Sequence, residues 1–415
     1  MADNILLNHT QGVPVPLARR LGPVDATAIG LGSMLGAGVF AVFAPAAASA
    51  GGLVPVALLI AGFVAYCNAV ASAQLAAAYP TSGGTYFYGR ERLGPWWGFT
   101  AGWGFVVGKT ASCAAMALTF ASYTAPGLAQ PVAVAAVLAL TAVNYRGVIR
   151  TALVTKILLA IVLAVLLTTV TLSTPDVSEV DITGASPGGV LQAAGLLFFA
   201  FAGYARIATL GEEVRDPRRT IPRAILGALA VALAVYLLIA LTLLAVLGAE
   251  RLAGSSAPLA DAMREAGRPA WIVTVGAAAA SLGALLALIA GVGRTALAMA
   301  RNRDLPGGLA AVHPRFSVPH HAELAVAAVV CAIVLVADLR EMIGFSSFGV
   351  LVYYAIANLS AYTQPRADRR WPRALNVTGV VGCLVLAATL PATSVLVGLG
   401  VFAVGLAGRA VATRR

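Results

Sequence analysis

Residues 29–40, IGLGSMLGAGVF, and residues 198–206, FFAFAGYAR, each set glycine and a local break inside an apolar stretch. Lipid offers a freed peptide group no hydrogen bond. A helix interrupted at membrane depth therefore survives only where protein or a polar cavity receives its exposed amides and carbonyls. Two such interruptions in one chain predict a ligand seated between them.

The rest of the chain fits that setting. Of its 415 residues 60% are hydrophobic and 11% charged, and its mean hydropathy is +0.87, which excludes a soluble protein with a charged surface. Runs of about 20 apolar residues cross a bilayer as helices. Twelve are read here, at 24–48, 54–79, 95–123, 127–145, 151–173, 188–211, 223–248, 270–299, 322–338, 342–363, 374–391 and 393–411, with spans nine and eleven the shortest. The expected fold is all-α and integral to the membrane. The first 23 residues are polar and lack an apolar core followed by a cleavage site, so span one is expected to be its own insertion signal. Cys67, Cys113, Cys331 and Cys383 lie inside spans without paired spacing, as packing residues rather than a disulfide frame or metal site.

The net charge of +11 is not gathered into a patch that would bind nucleic acid; it is sorted by loop. With the N-terminus in the cytoplasm, 20 of the 28 Lys and Arg residues fall on inside segments, and only Arg251, Arg264, Arg268 and Arg340 fall outside. The positive-inside rule then predicts two cytoplasmic termini and an even number of spans in a plasma (inner) membrane. The loop 174–189 carries Asp176, Glu179 and Asp181 with no Lys or Arg, as an external loop. Segment 79–94, with Pro80, Gly83, Gly84 and several aromatics, suits a short amphipathic stretch at the cytoplasmic interface. Segment 212–223 (EEVRDPRRTIPR) closes span six with two prolines, and within 250–269 the run SSAPLADAM suits a short helix over the entrance.

The two interrupted spans, one and six, lie five apart and so run in opposite directions, as two inverted five-helix repeats require. The organisation expected is a cytoplasmic tail at 1–23, a ten-helix transport core at 24–363, and two additional helices with a short tail at 364–415.

Four local patterns now occur in order. Residues 32–40 (GSMLGAGVF) match G-x-M-I-G-S-G-I-F, residues 80–94 match P-x-x-G-G-x-Y followed by a basic turn, residues 198–223 match F-F-A-F-x-G-F with an E-E-x-x-x-P-x-R-x-x-P-R exit, and residues 291–306 match G-V-S-R-T-L-x-A-M-A-R-D-x-x-L-P. Together they resemble the amino acid, polyamine and organocation (APC) superfamily over nearly the whole chain. The resemblance implies twelve helices, the five-plus-five inverted repeat, and alternating-access transport of amino acids or related amines as a secondary transporter without a cofactor.

It also implies a site. The amides around Leu35, Gly36, Ala37 and Gly38 bind the substrate carboxylate, helped by the positive end of the next half-helix. The carbonyls of Met34, Phe199 and Ala202 accept from the substrate amine, with Gly203 and Tyr204 beside them. The alternative is that Gly36 and Gly38 only let a neighbouring helix approach. Ala37 stands where many relatives have Ser, and Ala205 where many have Asp or Glu. The missing acid weakens a cationic or polyamine substrate, and Phe199, Phe201 and Tyr204, read as exposed aromatics, favour a neutral or apolar side chain.

Four cations inside spans are candidates for coupling or gating: Lys109, Lys156, Arg206 and Arg294. A charge at the centre of span three, Lys109, demands a function or a partner. Lys156, near the start of span five, serves coupling or snorkels to the interface; counting from Asn144 and Gly147, the helix-five lysine of some proton-coupled relatives falls nearer Val162. Arg206 and Arg294 line an inward vestibule, close it on acids such as Asp25, Glu212 or Glu213, or snorkel. His9, His313, His320 and His321 are read in tail or loop. No G-x-x-x-x-G-K-[ST], H-E-x-x-H or nucleophile elbow is present, which disfavours an ATP-driven pump and a membrane enzyme. The second functional reading is an amino-acid sensor that binds without sustained transport.

Overall fold

The computed structural model describes residues 21–80, 83–147, 152–173, 185–211 and 213–413. The helices in chain order are α1 (Pro23–Met34), α2 (Gly38–Ala41), α3 (Phe43–Ala50), α4 (Val54–Ala78), α5 (Gly84–Leu93), α6 (Pro95–Thr124), α7 (Ala129–Tyr145), α8 (Ala152–Leu172), α9 (Pro187–Phe201), α10 (Ala205–Ala208), α11 (Pro217–Gly254), α12 (Pro258–Glu265), α13 (Trp271–Arg301), α14 (His320–Val336), α15 (Leu339–Tyr362), α16 (Arg373–Thr389) and α17 (Ala392–Ala412). Among the described residues there is no strand, only an isolated bridge between Leu21 and Val214. Among the described residues ten helical stretches are long and apolar enough to cross a membrane. The two shorter apolar helices, α14 and α16, fall where spans nine and eleven are read. The protein is thus multi-pass, with backbone polar groups satisfied inside its helices as hydrocarbon requires.

The first predicted span divides into α1, α2 and α3, and the sixth into α9, a 3-10 turn at Ala202–Tyr204 and α10. Both divisions fall inside the two glycine-bearing stretches. The short helices expected at 79–94 and 250–269 are α5 and α12. The prolines after span six act differently from the expectation: Pro217 starts α11, with Asp216 at its N-cap, and Pro222 lies inside the same helix. Pro at the first helical position costs nothing, because that amide has no partner within the helix in any case. The next helix therefore begins at 217 rather than 223.

Packing rests on small residues. Across α6 and α15, a Cβ on Gly104 would stand 2.8 Å from the Gly349 carbonyl oxygen, and one on Gly349 2.8 Å from that of Gly104. Backbones that close bring in dispersion and dipolar contact without any water-driven hydrophobic term, which is absent between helices in lipid. Cys67, Cys113, Cys331 and Cys383 are free. Cys383 Sγ lies 3.3 Å from the Asn68 side-chain oxygen.

The ends of α1 and α9–α10 nearest the chain's basic loops are stitched together. The Leu21 amide donates to the Glu213 carbonyl at 3.0 Å, and the Arg215 amide to the Leu21 carbonyl at 2.9 Å. Beside them α5 is fixed by the Thr85 amide donating to the Tyr353 hydroxyl at 3.1 Å.

Candidate functional site: two broken helices

The α1 helix stops at Met34, and the Leu35 amide still reaches back to the Leu31 carbonyl at 2.7 Å. Helical geometry resumes at Gly38. Between them the amides of Gly36, Ala37 and Gly38 have no hydrogen-bond partner among the described residues, although all three residues are buried. Buried unpaired amides are rare because each loses its water without replacement. Three in succession put partial positive charge in a row, which suits a carboxylate. Gly38 also meets the packing alternative, since a Cβ there would sit 3.0 Å from Ala200 Cα of α9.

The second break is gentler. The Ala202 amide donates to the Phe199 carbonyl, so the chain turns without freeing that group. Gly203 is fixed by close approach: a Cβ would lie 2.4 Å from both the carbonyl carbon and the oxygen of Ser33, and 2.6 Å from the Met34 amide nitrogen. Only glycine lets the two breaks touch.

Three tyrosines from three other helices hold the broken carbonyls. Tyr236 of α11 places its hydroxyl 2.6 Å from the Met34 carbonyl and 3.0 Å from that of Ala200. Its single proton serves one of them at a time. Tyr354 of α15 donates to the Ala202 carbonyl at 3.3 Å, and Tyr123 of α6 to the Phe40 carbonyl at 3.0 Å. The carbonyls of Met34, Phe199 and Ala202 therefore each face one donor already, and each retains a second lone pair.

The aromatics read as exposed are not. Phe199 is 6% exposed and Phe201 and Tyr204 are fully buried. Phe201 packs edge-on against Tyr236, and Tyr204 stacks on Tyr354 at 5.0 Å. They wall the break because the neighbouring helices α11 and α15 carry matching rings. The Tyr204 hydroxyl has no hydrogen-bond partner within bonding geometry among the described residues.

Of the four internal cations, Lys109 is 8% exposed at the middle of α6, with no acceptor or carboxylate in bonding range among the described residues. Lys156 is different: it pairs with Asp25 in the first turn of α1, with both side chains partly exposed. In this structure α8 lies along α1, and Asp25 is engaged by Lys156 rather than by Arg206 or Arg294. Among the described residues Arg206 bonds only the Thr209 hydroxyl, at 3.5 Å, and neither Arg206 nor Arg294 forms an ion pair; both are exposed. Glu212 lies outside the described residues. Val162 lines a small cavity with Gly32, Leu35 and Gly36 of the first break, and with Ala280 and Ala284 of α13. At about 10 Å³ it holds at most one water. Where the resemblance puts a lysine, the chain thus places an apolar side chain.

A second cluster was not read from the sequence. Asp304, after α13, accepts from Arg90 of α5 at 2.9 Å, from the Tyr86 hydroxyl at 2.7 Å and from Arg409 of α17. Arg409 also lies over the rings of Trp96 and Phe99 at 5.0 and 4.8 Å. Burial and the Asp304 carboxylate push the Tyr86 hydroxyl up to about 12, so it remains a donor at neutral pH. The only signal in the sequence was the basic setting of Asp304 in ARNRDLP; for Tyr236 it was a lone hydroxyl in an apolar run.

Comparison with known proteins gives the family. The model of the family described as amino acid permease matches residues 25–408. An uncharacterized transporter of Mycobacterium tuberculosis is 59% identical over 97% of this chain and 94% of its own length. A branched-chain amino acid permease of Bacillus subtilis is 24% identical over 88% of this chain and 84% of its own. A chloroplastic cationic amino acid transporter of Arabidopsis thaliana is 27% identical over 89% and 71% respectively.

Proposed function

This chain belongs to the amino acid permease family, and on that premise we propose that it is a secondary transporter carrying amino acids or related amines by alternating access. It is a permease-type membrane transporter rather than an enzyme. The observation that carries the finer reading is the row of amides at Gly36, Ala37 and Gly38, unpartnered among the described residues, in a chain whose second break, at Gly203, packs against Ser33 and Met34 at the end of α1. The amides suit a carboxylate, and the spare lone pairs of the Met34, Phe199 and Ala202 carbonyls an ammonium, so together they read the backbone common to amino acids.

The reading includes twelve crossings with both termini in the cytoplasm of a plasma membrane, a ten-helix core at 24–363 and two added helices. In support of the inverted repeat, α11 packs along α1 as α4 packs along α9. The exposed Ser33, Arg206 and Arg294 line a water-filled path from the break to the cytoplasm, because lipid would not receive them. Lys109, buried at the middle of α6 and without an acceptor among the described residues, couples transport to a proton. Ala205 supplies no acid for a cationic side chain, so the substrate is neutral.

Counterflow in proteoliposomes, with every amino acid and common polyamine as internal load, tests this. Exchange of neutral amino acids supports it. Saturable binding with no flux in either direction would instead make the chain a sensor.

A further inference from the structure

The α14 helix opens with His320, His321 and, one turn on, Glu323. Glu323 is 2% exposed, its Oε2 is enclosed without a partner, and neither oxygen has a hydrogen bond or an ion pair among the described residues. Its side chain lies over Gly293 of α13, where a Cβ would stand 2.8 Å from Glu323 Cγ. Gly293 is also where GVGRT departs from the eighth-span pattern G-V-S-R-T. The side chain missing there is the room that the carboxyl occupies.

His320 and Glu323, three residues apart, share a helix face. The His320 Nδ1 is enclosed without a partner. Its ring lies 5.3 Å from that of His313, 4.2 Å from that of His321 and 6.0 Å from that of Tyr145. The other two rings are engaged: His313 Nδ1 accepts from the Arg315 and Phe316 amides at 3.2 and 3.3 Å, and His321 Nδ1 lies 2.9 Å from the Gly308 carbonyl. Of the elements packed on α14, α13 brings Arg294, the charge acting on Glu323, and α7 brings Tyr145. The 313–316 turn brings His313 and Arg315, and α6 and the 307–310 turn bring no further charge to the carboxyl among the described residues.

We infer that Glu323 is a proton-binding site, separate from Lys109 and reached through His320, that sets how the carrier responds to pH at the His320 end of α14. An enclosed carboxyl with no donor is changed more by a proton than any exposed acid, and the change in charge falls beside unpaired Arg294 on a helix that lines the first break. This inference rests on the transport reading for its effect, but not for the binding itself.

Two measurements on the full chain separate them. In infrared difference spectra taken across about pH 5 to 8, wild type shows a carboxylic C=O band that titrates and that Glu323→Gln removes. In proteoliposomes, counterflow of wild type changes by up to about tenfold per pH unit on its titrating limb when pH is varied on the side of the His320 end of α14, the change in the protonation ratio of one site across one unit. Glu323→Gln flattens the profile, Glu323→Asp restores it, and His320→Asn slows the response to a pH jump. A titrating band that survives in Glu323→Gln, or an unchanged pH profile in that variant, overturns the inference. Absence of counterflow from wild type, with the band intact, would defeat the transport reading and leave the proton site standing.

Discussion

The two breaks differ in how fully they are spoken for. At the first, three consecutive amides, Gly36 to Gly38, have no partner among the described residues, while at the second the Phe199 carbonyl is bonded within its own turn and the Ala202 carbonyl is held by Tyr354. Tyr236 spans the two, bonding Met34 on one side and Ala200 on the other. On the proposed reading, the carboxylate side offers amides without a partner among the described residues, and the amine side offers carbonyls that each already face one donor. A carboxylate thus gains hydrogen bonds that nothing else provides, whereas an ammonium shares or displaces a hydroxyl. Affinity should depend more steeply on the carboxylate than on the amine.

The contrast can be broken at several points. Gly203→Ala forces a methyl into the Ser33 carbonyl at 2.4 Å and moves the breaks apart. A displacement of about 1 Å costs about a hundredfold in rate, so substrate counterflow should vanish while the protein still inserts. Asp304→Asn leaves Arg409 buried with its best partner gone, costing about 3 to 5 kcal/mol, read as a lowered melting temperature in detergent. Tyr236→Phe deprives two carbonyls of their donor and should slow transport about tenfold, the worth of one buried hydrogen bond. Lys109→Met removes the group proposed to couple transport to a proton: counterflow should persist, while accumulation driven by a pH gradient is lost. Unchanged proton dependence in that variant would take coupling away from Lys109.

The spans and both breaks were legible because they are local: apolar runs of membrane length, interrupted by glycine, carry their meaning within about twenty residues. The amide row at Gly36 to Gly38 was legible for the same reason. The tyrosine donors were not, since Tyr236 acts on Met34, 202 residues away. The fate of Lys156 depended on which helix lay beside Asp25, and burial of Phe201 and Tyr204 on rings contributed by α11 and α15. Asp304 reads as a loop residue until α17 brings Arg409 against it. Pro217 misled in a different way, because proline ends one helix and begins another equally well.

The central claim is that the site recognises an amino acid by its backbone, carboxylate first. Counterflow against one transported amino acid, its carboxamide and its N-methyl derivative tests it most directly. The account predicts that the carboxamide is not exchanged at any concentration that the parent saturates, while the N-methyl derivative exchanges with a raised KM. Exchange of the carboxamide at the rate of the parent would contradict it.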